Sequence, residues 1–366
     1  MDPLRELHEH GQSIWMDSIS RRMLTTGELA RLVDSGITGV TSNPAIFEKA
    51  IAGSDDYDAA LEWLLRTDPE ASVVDRYEAL AITDIREALD VLRPVYDRTD
   101  GADGFVSLEV SPTLADDAEG TIAEARRLWT AVDRPNLMIK VPATPAGVPA
   151  IETLIGEGIN VNVTLIFSLS HYDAIAGAYI RGVERAPEPA GVASVASFFV
   201  SRLDTAVDAI LEEIGTEQAL ALRGRTAVAN AVLAYQRYQD LFEGEPFAAA
   251  GARGARPQRV LWASTGTKNP DYSDVLYVEE LIGPNTVNTV PPATLDAFLD
   301  HGEVRGDTVL ADVDGAVDVV NALEDLGIDL DAVTEQLQAD GVTAFADAFD
   351  RLLGAIAEKA GRLASR

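Results

Sequence analysis

Lysine is scarce in this 366-residue chain, in which only Lys49, Lys140, Lys268 and Lys359 occur among 29 basic residues. Lys140 follows Leu-Met-Ile and precedes Val-Pro, so apolar residues flank it on both sides. Burial disfavours the charged ammonium, and the neutral amine is the form that attacks a carbonyl carbon. Lys140 is therefore a candidate nucleophile for carbonyl chemistry. The alternative interpretation is a buried structural lysine paired with a carboxylate.

Two carboxylates and three neutral polar residues also lie in or at the ends of apolar runs. Asp17 and Glu109 supply groups for proton transfer, although each taken alone is equally well explained by a salt bridge. Asn43, Asn162 and Thr164 lie within apolar segments, where burial is costly unless hydrogen bonds satisfy them. A polyhydroxylated ligand would provide those bonds. A private hydrogen-bond network in the core is the alternative.

Positive charge occurs late in the sixth apolar run, at Arg202, and just after the seventh, at Lys268. Ser197 and Ser264 place hydroxyl groups in the same two regions. Phosphate groups often bind near the seventh and eighth strands of a parallel barrel. Arg202 and Lys268 are therefore candidate phosphate ligands. For Arg202 the alternative is an ordinary surface salt bridge.

Eight short runs rich in apolar and β-branched residues must position these side chains. Longer amphipathic stretches separate the runs, and this alternation predicts parallel strands connected by helices. The predicted strands are Ser13–Ile19, Gly39–Asn43, Gly104–Val110, Leu137–Val141, Ile159–Phe167, Val192–Arg202, Arg259–Thr265 and Thr286–Val290. Several are apolar throughout, as expected of strands covered on both faces. A closed eight-stranded barrel fits the count, with its active site at the carboxyl ends of the strands.

The stretches between and after these runs carry the apolar spacing of three and four residues that is typical of helices. The predicted helices are Val73–Val95, Ala118–Ala131, Gly147–Ile155, Ser170–Val183, Leu203–Ile214, Glu217–Phe242, Ala293–His301, Val313–Leu326 and Thr343–Leu363. A helical insert around Ala50–Asp100 exceeds a minimal barrel, and residues 250–257 are predicted to form a flexible loop. The expected fold is α/β, a (β/α)8 TIM barrel with helical insertions. Residues 1–366 are expected to form a single domain, with 293–366 as a helical C-terminal extension packed on the barrel.

Composition and charge exclude several kinds of partner. With 60 acidic and 29 basic residues, the formal net charge of −31 repels nucleic acid and anionic membranes. The absence of cysteine excludes disulfides and thiolate zinc sites, and no apolar stretch predicts a signal peptide or a membrane span. No nucleotide-binding glycine motif is present, and the four histidines, His8, His10, His171 and His301, lie away from the strand ends. We therefore predict a soluble, cytoplasmic protein with no metal, nucleic-acid or membrane partner.

Six segments, in order along the chain, resemble the signature blocks of the transaldolase family. They are Gly-Gln-Ser-Ile-Trp-Met-Asp17-Ser-Ile-Ser, Gly-Val-Thr-Ser-Asn43-Pro-Ala-Ile-Phe, Ser-Leu-Glu109-Val-Ser, Met-Ile-Lys140-Val-Pro-Ala-Thr, Gly-Ile-Asn-Val-Asn162-Val-Thr164-Leu-Ile-Phe-Ser and Ser197-Phe-Phe-Val-Ser-Arg202-Leu-Asp. The resemblance runs through the chain and does not rest on one short motif. It implies the same barrel fold that the alternation of strands and helices predicts.

The resemblance also implies a role for each candidate residue. Lys140 corresponds to the Schiff-base lysine, Asp17 to the general acid/base at the bond being broken, and Glu109 with Thr164 to the pair that holds a catalytic water. The two asparagines identified above correspond to residues that hold substrate hydroxyl groups.

The residues assigned to the phosphate end of the substrate match the family less completely. Ser197 and Arg202 correspond to substrate and phosphate contacts. Ser264 and Lys268 lie in the loop where many relatives present an arginine to the phosphate. The identity of the second phosphate ligand is therefore left open by the sequence.

The activity implied by the resemblance is transfer of a dihydroxyacetone unit in the pentose phosphate pathway, without a metal or an organic cofactor. The donor would be sedoheptulose 7-phosphate or fructose 6-phosphate, and the acceptor glyceraldehyde 3-phosphate or erythrose 4-phosphate. Two alternatives remain: a lyase similar to fructose 6-phosphate aldolase, which releases the three-carbon fragment, and a non-catalytic sugar-phosphate-binding barrel. The extra length and the helical tail favour transfer, because the tail could shield the intermediate from water. The protein is expected to be a monomer or a homodimer.

Overall fold

Eight parallel strands form a closed barrel in the computed structural model, which describes residues 3–365. Each strand pairs with the next along the chain, and the eighth closes the barrel by pairing with the first. The strands are β1 Gln12–Met16, β2 Gly39–Val40, β3 Phe105–Glu109, β4 Leu137–Pro142, β5 Val161–Ile166, β6 Ser194–Phe199, β7 Arg259–Ala263 and β8 Thr286–Val290. The predicted fold class is confirmed, because helices connect the strands in the order that a (β/α)8 barrel requires.

A cluster of buried side chains fills the interior of the barrel. Trp15, Phe105 and Leu261 belong to this inner cluster and are at most 1% exposed. Gly39 pairs with Trp15 across β1 and β2, and a Cβ atom at position 39 would lie 2.4 Å from the indole ring. The opposite faces of the strands pack against the helices in a second, larger core. Burial on both faces explains why the strands are apolar throughout.

Seventeen helices surround the barrel or extend from it within residues 3–365. They are α1 Pro3–Glu9, α2 Arg21–Thr25, α3 Glu28–Asp34, α4 Pro44–Ala52, α5 Asp58–Thr67, α6 Val73–Arg98, α7 Ala118–Val132, α8 Gly147–Gly156, α9 Leu169–Arg185, α10 Ser201–Ile214, α11 Glu217–Leu220, α12 Thr226–Tyr238, α13 Glu245–Ala252, α14 Leu276–Glu279, α15 Pro292–His301, α16 Val313–Asp325 and α17 Leu330–Ala364. The insert predicted around residues 50–100 contains α5, α6 and the end of α4.

Several predicted strand ends that matter for the site are wrong. Strands β1, β2 and β7 end at Met16, Val40 and Ala263, so Asp17, Asn43 and Ser264 follow their strands and do not lie within them. The sixth strand ends at Phe199, so Arg202 lies in the first turn of α10 and not at the end of a strand. The chain changes direction at Val200, whose φ of −106° and ψ of −74° are not extended. The helical turn therefore determines the direction of the Arg202 side chain.

Three predicted helical boundaries are also wrong. Residues 250–252 belong to α13, because the buried side chains of Phe247 and Ala250 anchor its last turn, so the predicted loop is shorter. The single helix predicted over 217–242 divides into α11 and α12, and a π-helical turn follows. Helix α17 begins at Leu330, well before the predicted start at residue 343, because Asp329 caps it by accepting a hydrogen bond from the backbone of Ala332.

Helix α17 contacts both the outer helices and the strand ends. It packs along α4, α5 and α6, where Phe349 meets the ring of Tyr77 edge-on at 5.5 Å between centroids. Nearer its start, Gln338 donates hydrogen bonds to the backbone carbonyls of Ala143 and Leu165. Among residues 3–365, no helix is long and apolar enough to cross a membrane.

Candidate active site

Lys140 lies on β4 inside the barrel and is 5% exposed. Its Nζ donates a hydrogen bond to the backbone carbonyl of Ser42 at 3.2 Å and lies 3.6 Å from Oε2 of Glu109. The pairing of β3 with β4 sets Glu109 directly opposite Lys140, which explains why the two side chains meet. The ring of Phe345, from α17, lies 5.5 Å from Nζ. The amine group is therefore shielded from bulk water and, within residues 3–365, forms an ion pair with Glu109 alone.

The carboxyl group of Glu109 is buried beside this lysine. Burial raises its pKa to about 7, the charge on Lys140 acts in the opposite direction, and the carboxylate of Asp17 raises it further. Its Oε2 atom accepts no hydrogen bond from any residue in the described range 3–365. A carboxyl group with a pKa near neutrality can both donate and accept a proton at physiological pH.

Asp17 directly follows β1 and contributes the second carboxyl group. The hydroxyl of Thr41 donates a hydrogen bond to its Oδ1 at 2.7 Å. Burial raises the pKa of Asp17, while the charge of Lys140 and the hydrogen bond from Thr41 lower it, as do the charges of Lys268 and Arg202 to a smaller extent. The three cations and the two carboxyl groups thus act on one another at the same end of the barrel.

Asn162 is fully buried on β5 and links this strand to β3 and β6. Its Nδ2 donates to the hydroxyl of Ser107 at 2.9 Å, and the hydroxyl of Ser197 donates to its Oδ1 at 2.7 Å. This is the hydrogen-bond network that the sequence left open as an alternative to ligand contacts. One hydrogen on Nδ2 remains available for a ligand, because an amide nitrogen carries two.

Two other neutral residues that the sequence singled out are placed differently. The Oδ1 atom of Asn43 accepts a hydrogen bond from the backbone of Ile46 at 2.9 Å and so caps α4, which leaves the amide nitrogen free of this role. Thr164 is completely buried on β5, and its hydroxyl has no hydrogen-bond partner in residues 3–365. A buried polar atom without a partner is unusual and calls for an explanation such as a bound water or ligand.

Arg202 extends from the first turn of α10 over the ring of Phe199, with 5.3 Å between the guanidinium carbon and the ring centroid. It forms no ion pair with any carboxylate of residues 3–365, so the salt-bridge interpretation is not observed in this range. Burial lowers the pKa of Arg202, whereas the charge of Asp17 raises it. The guanidinium group is therefore a partly buried cation that forms no ion pair among the described residues, although the charge of Asp17 acts on it.

The loop after β7 carries the remaining two candidates. Ser264 has a left-handed backbone, with φ of +57°, and its hydroxyl lies 3.0 Å from that of Ser201 at the start of α10. Lys268 is exposed and borders a small surface cavity with the acidic residues Asp204 and Asp208. Ser264 therefore contacts the first residue of the helix that carries Arg202. Of the cations Arg202 and Lys268, Lys268 is the more exposed to solvent.

Several residues of the site were not predicted. Thr41 and Ser42 adjoin Asn43 and could have been identified from their place at the end of the second predicted strand. Phe345 and Gln338 come from the C-terminal helix, which the sequence predicted to pack on the barrel, but its pattern did not show which of its side chains reach the site. Within residues 3–365 no group of three or more acidic, histidine or cysteine side chains is arranged to hold a metal ion.

A closed parallel barrel with a buried lysine and two buried or partly buried carboxyl groups at its carboxyl-terminal mouth defines a (β/α)8-barrel enzyme site. The sequence model of one family, described as Transaldolase/Fructose-6-phosphate aldolase, matches residues 14–356. The chain belongs to this family, as the six sequence blocks predicted.

Curated relatives are similar over nearly their whole length. A transaldolase of Frankia alni is 54% identical, covering 99% of this chain and 98% of the relative. Transaldolases of Thermobifida fusca and Thiobacillus denitrificans are 51% and 52% identical, with coverage of 97% or more on both sides. The prediction of a transaldolase-type enzyme is confirmed by these similarities.

Proposed function

We propose that this enzyme transfers a dihydroxyacetone unit from a ketose phosphate to an aldose phosphate through a Schiff base on Lys140. The observation that carries the proposal is the setting of that amine. It is buried, it is bonded to one backbone carbonyl, and it adjoins a carboxyl group whose pKa is about 7. An amine beside a proton donor of this strength suits the two proton transfers that imine formation requires.

In the first half-reaction, the free amine of Lys140 attacks the C2 carbonyl of the donor and forms a carbinolamine. Glu109 in its protonated form donates a proton to the departing hydroxyl, and water leaves as the protonated imine forms. The buried hydroxyl of Thr164, which lacks a partner in residues 3–365, is suited to hold this water with Glu109. The protonated imine then withdraws electrons from the adjacent C3–C4 bond.

Asp17 is proposed as the base for carbon–carbon cleavage. It accepts the proton of the C4 hydroxyl, the C3–C4 bond breaks, and an aldose phosphate departs while an enamine remains on Lys140. The charges of Lys140, Lys268 and Arg202 all favour the ionised form of Asp17 that this step needs. In the second half-reaction the enamine attacks the aldehyde of a second aldose phosphate, and Asp17 returns the proton.

Substrate contacts are proposed for the remaining candidates. The free amide nitrogen of Asn43 and the second Nδ2 hydrogen of Asn162 are available for hydroxyl groups of the sugar. Arg202, which no carboxylate of residues 3–365 neutralises, is the main candidate phosphate ligand. Ser197, Ser264 and Lys268 are supporting candidates, Lys268 from the solvent side.

The competing activity is a lyase that releases free dihydroxyacetone. The family description includes both types of enzyme. Transfer is favoured by α17, since Phe345 lies over Lys140 and can limit the access of water to the enamine.

One experiment separates the candidate functions. The enzyme is incubated with fructose 6-phosphate and erythrose 4-phosphate, and sedoheptulose 7-phosphate and free dihydroxyacetone are both quantified. Borohydride is then added, and the reduced adduct is located by peptide mass spectrometry. Transfer predicts sedoheptulose 7-phosphate and an adduct on Lys140. Free dihydroxyacetone as the main product indicates a lyase, and absence of both products and adduct indicates a non-catalytic barrel.

A further inference from the structure

A side chain of α17 completes the hydrogen bonding where β4 and β5 end. The last pair in their register joins Pro142 to Thr164, and the backbone of Ala143 donates to the carbonyl of Thr164 at 2.8 Å. Nε2 of Gln338 then donates to the carbonyls of Ala143 and Leu165 at 3.1 and 3.0 Å. Gln338 is only 5% exposed, and its bonds to these two carbonyls satisfy buried backbone groups beyond the last pair of the β4–β5 register. Its Nε2 also lies 3.4 Å from Nδ1 of His171 on α9.

The bonded segment of β5 is irregular. The register between β5 and β6 shifts between Val163 and Ile166, which marks a bulge. Leu165 in this bulge has a φ of +60°, a left-handed conformation that is costly for a bulky residue and persists only where the surroundings hold it. The residue before it is Thr164, whose buried hydroxyl has no partner within residues 3–365. Bulges beside active sites commonly redirect a side chain in this way.

The same face of α17 contacts the site at two more positions, three and seven residues further on. A Cβ atom at Gly341 would lie 2.8 Å from Cδ2 of Leu165 and 3.7 Å from Nη1 of Arg202. Phe345 covers the amine of Lys140. Helix α17 therefore contacts Leu165 of the bulge twice. Gln338 bonds to its backbone carbonyl, and Gly341 packs against its side chain.

We propose that Gln338 is a positioning residue for the reaction: its amide holds the β5 bulge, and the bulge fixes the Thr164 hydroxyl in the place where it binds water beside Glu109 and Lys140. This inference rests on the proposed function. Its consequence is selective. The steps that release or consume water, namely dehydration of the carbinolamine and hydrolysis of the imine, depend on Gln338. Cleavage of the C3–C4 bond, which involves Asp17 and no water, does not.

The first test compares two glutamines of one helix. Gln338→Met keeps the length of the side chain and removes both N–H donors, and with them the contact with His171. Gln336→Met alters an exposed glutamine of the same helix whose amide donates to Asp340. Imine formation is followed in single turnovers by quenching fructose 6-phosphate reactions with borohydride, and release of glyceraldehyde 3-phosphate is measured in the same samples. Gln338→Met should slow adduct formation about tenfold or more, given the cost of two unsatisfied buried carbonyls. The rate of cleavage per adduct should stay within about twofold of wild type, and Gln336→Met should change neither rate.

A double-mutant cycle decides whether Gln338 acts through Thr164. Thr164→Val removes the hydroxyl, so adding Gln338→Met to it should slow adduct formation further by less than about twofold. Additive losses, or equal slowing of cleavage and imine formation, would overturn the inference and leave Gln338 a general structural residue. If the wild type itself forms no adduct, the proposed function fails and the inference falls with it. If the wild type forms the adduct normally but the losses from Gln338→Met and Thr164→Val are additive, the inference is refuted and the proposed function stands.

Gly341→Ala provides an independent variant in which the helix propensity gained by alanine offsets part of the cost of the added contact with Leu165. Its Cβ would press on Leu165 and disturb the bulge without removing a hydrogen bond. It should slow adduct formation by a smaller factor, about twofold to tenfold, and again lose its effect in the Thr164→Val background. Two results together would show that the bulge does not connect Gln338 to Thr164. These are unchanged adduct formation in Gly341→Ala and additive losses in the double-mutant cycle.

Discussion

Lys140 and Lys359 are both buried, with side chains 6% and 4% exposed, yet their surroundings differ. Lys359 on α17 donates to Oδ1 of Asp58 at 2.7 Å and to the carbonyl of Ser54 at 2.6 Å. Lys140 donates to one carbonyl at 3.2 Å, and its nearest carboxylate oxygen is 3.6 Å away. A buried lysine whose charge is matched at hydrogen-bond distance stabilises a fold. One whose partners are longer and fewer leaves its amine available for chemistry.

The largest expected effect comes from removing the amine in the barrel. Lys140→Ala should abolish the borohydride adduct and lower kcat by more than about 10⁴-fold, because it removes the amine on which the proposed covalent intermediate forms. Peptide mass spectrometry of the trapped wild type should place the adduct on Lys140. An adduct on Lys268 or Lys359, with Lys140 unlabelled, would overturn the comparison between the two buried lysines.

Asp17→Asn should separate imine formation from carbon–carbon cleavage. The adduct should still form, because Lys140 and Glu109 are unchanged, but cleavage should fall by about 10²–10⁴-fold, the usual range for a positioned acid or base. Quenched single-turnover samples that quantify adduct and glyceraldehyde 3-phosphate together measure both steps. Near-normal turnover in Asp17→Asn would remove this residue from proton transfer.

Lys359→Ala should affect stability and not chemistry. The substitution leaves the carboxylate of Asp58 without its cation, and breaking a buried pair costs about 3–5 kcal/mol. We expect the lower end of that range, because the Asp58 side chain is 23% exposed. Denaturant unfolding measures the loss, and kcat per trapped active site should match wild type. A fall in kcat per active site with unchanged stability would contradict the structural assignment of Lys359.

Glu109, beside Lys140, should make the free energy of unfolding of the protein depend on pH. Burial raises the pKa of Glu109 from 4.5 to about 7, so the folded protein favours its protonated form. This contribution to stability is complete below pH 4.5 and is lost as pH rises through about 7. Glu109→Gln keeps a neutral group at every pH. Its unfolding free energy relative to wild type should therefore increase between pH 4 and 8, by at most about 3 kcal/mol.

The matched control for this experiment is Glu213→Gln on the exposed face of α10, which should show no such gain with rising pH. Asp17 is also buried with a raised pKa, so wild-type stability alone cannot isolate Glu109. The difference between Glu109→Gln and wild type does isolate it. A difference that stays constant from pH 4 to 8 would show that Glu109 has an ordinary pKa.

The sequence predicted the eight strands because both faces of each strand are buried, which leaves a local apolar signal. The same signal placed Glu109 and Lys140 on the third and fourth strands, which are neighbours in the barrel. The register of β3 and β4 then sets the two residues directly opposite each other. The functions of these residues remain predictions. Local patterning could not predict that Arg202 lies in the first turn of a helix, since the apolar run of β6 continues to Val200, immediately before α10.

The contribution of α17 was less accessible to sequence reasoning. Gln338 and Phe345 reach the site only because the tail folds back over the barrel, and their contacts join residues more than 170 positions apart along the chain. A glutamine that ends a strand ladder looks like any other polar residue of a helix. The network formed by Asn162 with Ser107 and Ser197 was anticipated only as an alternative, because a sequence does not distinguish a satisfied buried amide from one that awaits a ligand.

The smallest expected effects concern the two cations at the outer side of the site, and they extend the comparison to charges that have no carboxylate at hydrogen-bond distance. A protein with a net charge of −31 must attract a dianionic substrate against its own field, so local positive charge has to prevail. Arg202 is partly buried and can present two parallel donors, whereas Lys268 is exposed and acts as a point charge.

Arg202→Ala should raise the KM for fructose 6-phosphate and lower kcat/KM about tenfold to a hundredfold, the cost of one charge-assisted hydrogen bond in a partly dry site. Lys268→Ala should have the same effect more weakly, because water screens its charge. Neither variant should much alter the reaction of unphosphorylated fructose or dihydroxyacetone, which have no phosphate to lose contact with. Arg362→Ala removes the same charge from the exposed end of α17 and controls for the overall field. If Arg202→Ala harms phosphorylated and unphosphorylated donors equally, the arginine supports the fold or the chemistry, and the phosphate must bind elsewhere in the barrel mouth.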